Sequence, residues 1–149
     1  MATRASDPII GFSFALDVQG VLSGFFTEIS GLGSETEIVE HKVTDPKGRD
    51  LIQKIPGRTK YTDVTLKRGV TKDMEIWQWR KKVEDGDIVG ARKNATITVY
   101  DQALTAVAKW NLENAWPSKV SGPSLSSDGS SVGVEELSVT FETMVREQV

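Results

Sequence analysis

Alternation with a period of two residues runs through most of this sequence and limits its fold more than any other feature. In "GFSFALDVQG", Phe12, Phe14, Leu16 and Val18 fall on one face, and Ser13, Ala15, Asp17 and Gln19 on the other. That is the pattern of a β-strand with one side on a core. Near the other end, residues 134–145 set Leu137, Val139, Phe141 and Val145 against Glu136, Ser138, Thr140 and Glu142. Further strands are expected at 21–29, 35–43, 61–67, 94–100 and 104–112, about seven in all, between polar or glycine-containing turns. Only one stretch has helical spacing. Ile76, Trp79 and Val83 recur at i, i+3 and i+7, with Met74 and Trp77 widening the stripe. Thr71 or Asp73 is placed to cap this helix, and Gly86 to end it. The fold class that follows is mainly β: an antiparallel β-sandwich or partly closed barrel with one packed α-helix and an extended arm loop.

A chain of 149 residues suits one domain spanning 1–149. No segment approaches the roughly 18 apolar residues of a membrane span, so no stable membrane insertion is expected. The opening run "MATRASDPIIGFSFALDV" has a short apolar stretch broken by Asp17, unlike a signal peptide. Synthesis in the cytoplasm without a signal peptide is the expectation.

The residues offer little chemistry. There is no cysteine, which removes disulfides and thiolate metal sites, and His41 is the only histidine. Nucleophilic catalysis would need a Ser or Thr beside His41 or a lysine, yet His41 sits on a charged strand with no G-x-S-x-G motif near it. The acidic pairs Glu84–Asp85 and Glu135–Glu136 read as solvated charge, since neither has the ordering of a calcium loop. "PGRTKYT" lacks P-loop spacing, and Gly31 and Gly33 lack the third glycine of a dinucleotide fingerprint. The chain is expected to be no enzyme and to need no cofactor or metal.

Charge is unevenly spread. The net charge is −3, but residues 28–45 hold Glu28, Glu35, Glu37, Glu40 and Asp45 against Lys42 alone. Lys54, Arg58, Lys60, Lys67, Arg68 and Lys72 follow, against Asp63 alone. The acidic total and the absence of interleaved aromatics argue against nucleic-acid recognition. A basic surface meeting the acidic region of another copy is the better reading. Residues 44–58, "TDPKGRDLIQKIPGR", exceed an ordinary connection. Leu51, Ile52 and Ile55 are too aliphatic for an idle loop, which suits an arm packed on a neighbour. Residues 121–133 read as a flexible loop rich in Ser and Gly.

Several blocks in order carry a family resemblance: "FTEISGLGSETE", "IPGRTKYTDVTLKRGVT", "EIWQWRKKV", "ITVYD", "WNLENAWPSKVSGPSL" and "VEELSVTFE". Over roughly residues 10–146 the chain resembles the tail tube protein of contractile phages and the inner-tube protein of contractile injection systems. The resemblance implies hexameric rings stacked into a hollow tube inside a sheath, with neighbouring strands joined edge to edge and DNA or protein cargo in the lumen. It implies sheath, baseplate or spike, and tube-terminating proteins as partners, and assembly into a phage tail or injection particle. A hexameric cargo carrier of the type VI secretion kind is the alternative, and a β-rich binding module a more distant one. On this reading the contacts between subunits or rings fall on Lys47, Arg49, Asp50, Leu51, Ile52, Lys54, Ile55, Arg58 and Lys60, with Glu35, Glu37, Glu40 and Asp45 as the acidic partner patch. "DPKGRDLIQKI" is richer in charge than the corresponding loop of the family.

Overall fold

The computed structural model describes residues 11–123, 127 and 133–149. Most of the Ser/Gly-rich segment expected at 121–133 lies outside the described residues. Ten strands and two helices form among those that are described. In chain order they are β1 (Ser13–Val18), β2 (Leu22–Phe26), β3 (Glu28–Ser30), β4 (Ser34–Thr44), β5 (Asp50–Tyr61), β6 (Val64–Gly69), α1 (Glu75–Glu84), α2 (Ile88–Ala91), β7 (Lys93–Tyr100), β8 (Ala106–Ser121), β9 (Val134–Thr140) and β10 (Thr143–Glu147). Every ladder is antiparallel.

Eight strands share one sheet in the order β2-β1-β7-β8-β9-β6-β3, with β10 also on β8. The two ends of this path, β2 and β3, are separated in the chain by Thr27 alone. The sheet must therefore curl until its ends approach, which makes a partly closed barrel whose hydrogen-bond ladder stays open. Thr27 fastens the junction: its N–H and its hydroxyl both donate to the Lys67 carbonyl, at 2.8 and 3.0 Å.

The long strand β8 serves both halves of the curl. Its first part pairs with β7 and β10, and its second with β9. The bend lies at Asn114, whose φ of 53° is one that Asn tolerates better than most residues. Asn114 Nδ2 donates to Glu142 Oε2 at 2.7 Å, and the Glu142 N–H donates to the Glu113 carbonyl at 3.0 Å. These bonds hold the bend against the break between β9 and β10. That break resets the alternation. Val145, expected inside with Leu137 and Val139, is exposed, and Met144 packs on the core instead. Phe12, also expected on the core face, lies before β1 and is largely exposed.

The interior of the curl is built from Leu16, Val18, Leu22, Phe26, Val64, Leu66, Ala95, Ile97, Leu112, Leu137 and Val139. Ile76 and Trp79 of α1 close it, both fully buried. Trp79 Nε1 donates to the Ala91 carbonyl at 2.6 Å, tying α1 to α2, and Arg80 Nη1 donates to the Pro117 carbonyl of β8 at 3.0 Å. Gly86, at φ 84°, follows the C-cap as expected. Its N–H bonds to the Val83 carbonyl and that of Asp87 to Lys82, a Schellman closure. The start of α1 differs from expectation. No side chain caps it: Met74 holds the N-cap position, largely exposed, and the Thr71 hydroxyl accepts from the Asp73 N–H instead.

Candidate assembly surface

β4 and β5 form a two-stranded sheet of their own, apart from the eight-stranded one. Their strands run eleven and twelve residues, so the hairpin reaches about 35 Å. Nearly every position on it is exposed. The arm loop expected at 44–58 is thus a turn of five residues followed by most of β5. Pro56 and Gly57 read as loop residues because a central strand would reject them. In a two-stranded hairpin each strand has a free edge, where a missing N–H costs no ladder bond. The register also shifts between Thr36 and Ile38, opposite Gly57 and Arg58, which absorbs the irregularity.

The tip is organised by Asp45. Its Oδ1 accepts from the backbone N–H groups of Arg49 (2.8 Å) and Lys47 (2.9 Å), and its Oδ2 accepts from Arg49 Nε at 2.9 Å. The Arg49 backbone N–H holds the Asp45 carboxyl below the usual carboxylate range; desolvation opposes it, and the Arg49 side chain and the Lys47 N–H add smaller lowering effects.

At the root the hairpin joins the body through residues 31–33 and 62–63. Gly31 has φ 90°, and a Cβ there would meet the Asp63 carbonyl oxygen at 2.5 Å, so only glycine fits. The Thr62 hydroxyl donates to the Gly31 carbonyl at 3.4 Å, and Asp63 Oδ2 accepts from Ser118 Oγ at 2.8 Å.

Residues opposite one another on paired strands share a face. One face of the arm carries Val39 opposite Ile55, His41 opposite Gln53, and Val43 opposite Leu51, with Glu35 opposite Lys60 nearer the root. The other carries Ile38 opposite Pro56, Glu40 opposite Lys54, Lys42 opposite Ile52, and Thr44 opposite Asp50. The expected contact residues Asp50, Leu51, Ile52, Lys54, Ile55, Arg58 and Lys60 therefore lie along β5, with Lys47 and Arg49 in the tip turn. The acidic set lies on β4 and the tip. The structure brings the two sets together inside one copy: Lys60 Nζ is 2.7 Å from Glu37 Oε1, Arg49 pairs with Asp45, and Glu40 faces Lys54.

Two charges do not sit where their sequence context suggested. Arg68, grouped with the basic surface, is only 6% exposed, and Glu135, read as solvated, only 4%. They lie directly opposite on β6 and β9. Arg68 Nε donates to Glu135 Oε2 at 3.3 Å, Trp77 Nε1 donates to Glu135 Oε1 at 3.1 Å, and the guanidinium stacks 5.3 Å from the Phe26 ring. This ion pair knits β2, β6, β9 and α1. Parity gives the signal that finds it: Arg68 shares the buried face of Val64 and Leu66, and Glu135 that of Leu137 and Val139.

No catalytic constellation appears among the described residues. His41 lies exposed on the arm, and no group of three or more His, Cys, Asp or Glu side chains there could hold a metal. What remains is a curled, partly closed body, a protruding hairpin, and strands β2 and β10, each with a ladder on one side only among the described residues.

The T4-like virus tail tube protein gp19 family model matches residues 11–145. The chain belongs to that family. It is thus a tail tube protein, a structural class. No curated protein sequence matches it. Solved structures extend the likeness at the level of fold. A chain of the PVC sheath–tube complex, an extracellular contractile injection system in its extended state, is 24% identical, with a TM-score of 0.74 over 97% of this chain and 95% of that one. A chain of the anti-feeding prophage tube-terminating cap is 21% identical, with a TM-score of 0.74 over 100% and 97%. Hcp1 from Flavobacterium johnsoniae is 14% identical, with a TM-score of 0.55 over 90% and 94%.

Proposed function

We propose that this tail tube protein is the inner-tube subunit of a contractile tail or contractile injection system, one tail-tube unit per chain. Hexameric rings stack into a hollow tube through which DNA or protein cargo passes. The observation that carries this reading is the arm: among the described residues, Ile38, Val39, Leu51, Ile52 and Ile55 stay exposed on a hairpin that pairs with no further strand. A two-stranded hairpin is marginal by itself in water, so this one gains its order by docking on another copy. Rings close in the same way, head to tail, by joining the free sides of β2 and β10 between neighbours, which shelters both edges. Sheath, baseplate and terminating proteins are the partners of such a tube; the likeness to chains from a sheath–tube complex and a tube cap supports that reading. With a net charge of −3 on each copy, a mildly acidic bore would let a polyanion slide without sticking.

Likeness to Hcp1 favours a second reading, a ring that carries cargo without stacking stably. Electron microscopy of the purified chain separates the readings. Tubes formed without a sheath are expected; isolated rings alone would favour the carrier, and a monomer at high concentration would overturn both.

A further inference from the structure

We propose that the outer face of β2, β1, β7 and the first part of β8 is a shelf for the basic side chains of an extended polypeptide, with Asp17, Phe25 and Tyr100 taking the cations. This assignment rests on the tube reading above, which makes the occupant cargo. Cross-strand register builds the shelf from two rungs on the side of the sheet away from the core. One runs Phe25–Ala15–Thr98–Lys109–Glu147, and the other Ser23–Asp17–Thr96–Asn111. Their part from β2 to Lys109, together with Tyr100, lines an open hollow of about 470 Å³.

This hollow differs from an ordinary solvated sheet face in two ways. Phe25 is 61% exposed on it, and its ring lies 6.0 Å from that of Tyr100, tilted by 48°. An exposed aromatic pair among serines and threonines is a surface on which a flat or cationic group can stack. The second difference is an unpaired carboxylate. The other polar groups answer one another: the Thr96 hydroxyl donates to Asn111 Oδ1 at 3.0 Å, Asn111 Nδ2 donates to Glu147 Oε1, and Lys109 Nζ lies 3.6 Å from Glu147 Oε2. Asp17 is exposed, and its side chain has no hydrogen-bond or ion-pair partner among the described residues.

The charge of the whole face points the same way. On β1, β2, β7, β10 and β8 as far as Glu113, alternation puts Asp17, Lys109, Glu113 and Glu147 on this side, a net −2. The other cations of these strands, Lys93 and Arg146, fall on the opposite parity, and Arg146 stacks over Trp110. A lone carboxylate beside two aromatic rings on an anionic face selects a cation and repels nucleic acid. Spacing identifies the cation's carrier. The rungs are two residues apart along each strand, about 7 Å, which is also the distance between alternate side chains of an extended peptide. Such a segment, lying along the strands, puts one basic side chain at Asp17 and the next on the Phe25–Tyr100 pair.

The test titrates a short fluorescent peptide alternating Arg and Ser with the full chain at low salt, reads anisotropy, and repeats it with a Glu–Ser counterpart. The Arg peptide is expected to bind and the Glu peptide not to. Asp17→Asn should weaken binding about fivefold, and Phe25→Leu, which keeps an apolar side chain but removes the ring, about threefold. Both side chains are exposed, so the melting curve should not change. Glu84→Gln, at an exposed acid of α1 outside the shelf, should leave binding as it was. Equal weakening by Glu84→Gln would reduce the site to diffuse charge, and binding indifferent to Asp17→Asn and Phe25→Leu would overturn it. Negative-stain images of the same samples separate this outcome from the reading it rests on. Tubes that bind no Arg peptide remove the shelf and leave the tube standing, whereas Asp17-dependent binding by a chain that forms neither rings nor tubes keeps the shelf and removes its role toward cargo.

Discussion

The body and the arm solve the same problem in opposite ways. Both are antiparallel β-structure, although the arm's strands run eleven and twelve residues and those of the body, β8 apart, three to eight. The body rolls its strands until Leu16, Ile97, Leu112 and Leu137 are fully buried and a helix covers them. The arm leaves aliphatics on two faces and satisfies only its own single ladder. The difference teaches that strand pairing alone does not bury side chains: the curl supplies the second layer in the body, and the arm has none among the described residues.

The comparison is sharpest where the body is cut. Trp79→Ala removes the largest fully buried side chain and its bond to Ala91, and is expected to lower stability by about 3–5 kcal/mol in chemical denaturation. Next comes the buried ion pair. Glu135→Ala strands Arg68 and should cost about 3 kcal/mol, whereas Arg68→Met combined with Glu135→Leu should recover most of it; equal losses in the single and double variants would show that packing, not charge, dominates there. At the joint between the regions, Gly31→Ala forces a positive φ and a close approach to Asp63, for a loss of roughly 1–3 kcal/mol. In the arm the effect on the fold should nearly vanish. Leu51→Asp or Ile55→Asp should shift stability by within about 0.5 kcal/mol and yet prevent tube growth, as seen by negative-stain microscopy. The smallest effect belongs to pH. The folded Asp45 carboxyl titrates below its ordinary range, so its support for the tip turn is complete above that range and is lost as pH falls through the lowered value. Faster amide exchange at Lys47 and Arg49 in acid would show it; exchange at the tip that follows only the intrinsic pH dependence would contradict it.

Much of the body was legible because its signal is local. Alternation in Phe14–Leu16–Val18, the Trp79 stripe and Gly86 each specify their own element, and the structure places them accordingly. Three things were not local. The parity break at Phe141–Glu142 depends on Asn114 and Glu113 on another strand, so alternation within the strand alone puts Val145 on the buried side, where it does not lie. Arg68 and Glu135 sit on buried faces by parity, but charge type outweighed position until their pairing across β6 and β9 was visible. For the candidate surface, sequence marked the aliphatics of 44–58 and the unclean alternation of β4, but the turn chemistry of Pro56 and Gly57 hid β5. Only the cross-strand register reveals that acidic and basic residues face one another within a single hairpin.

Thr27 has a mechanical consequence. Because one continuous run of chain serves as both ends of the path from β2 to β3, the roll has no loose flap at that seam, and the free border lies at β10 instead. A pull across the seam cannot unzip rungs in succession there; it must first tear the anchorage at Lys67 or slide whole strands past each other, where many bonds resist together.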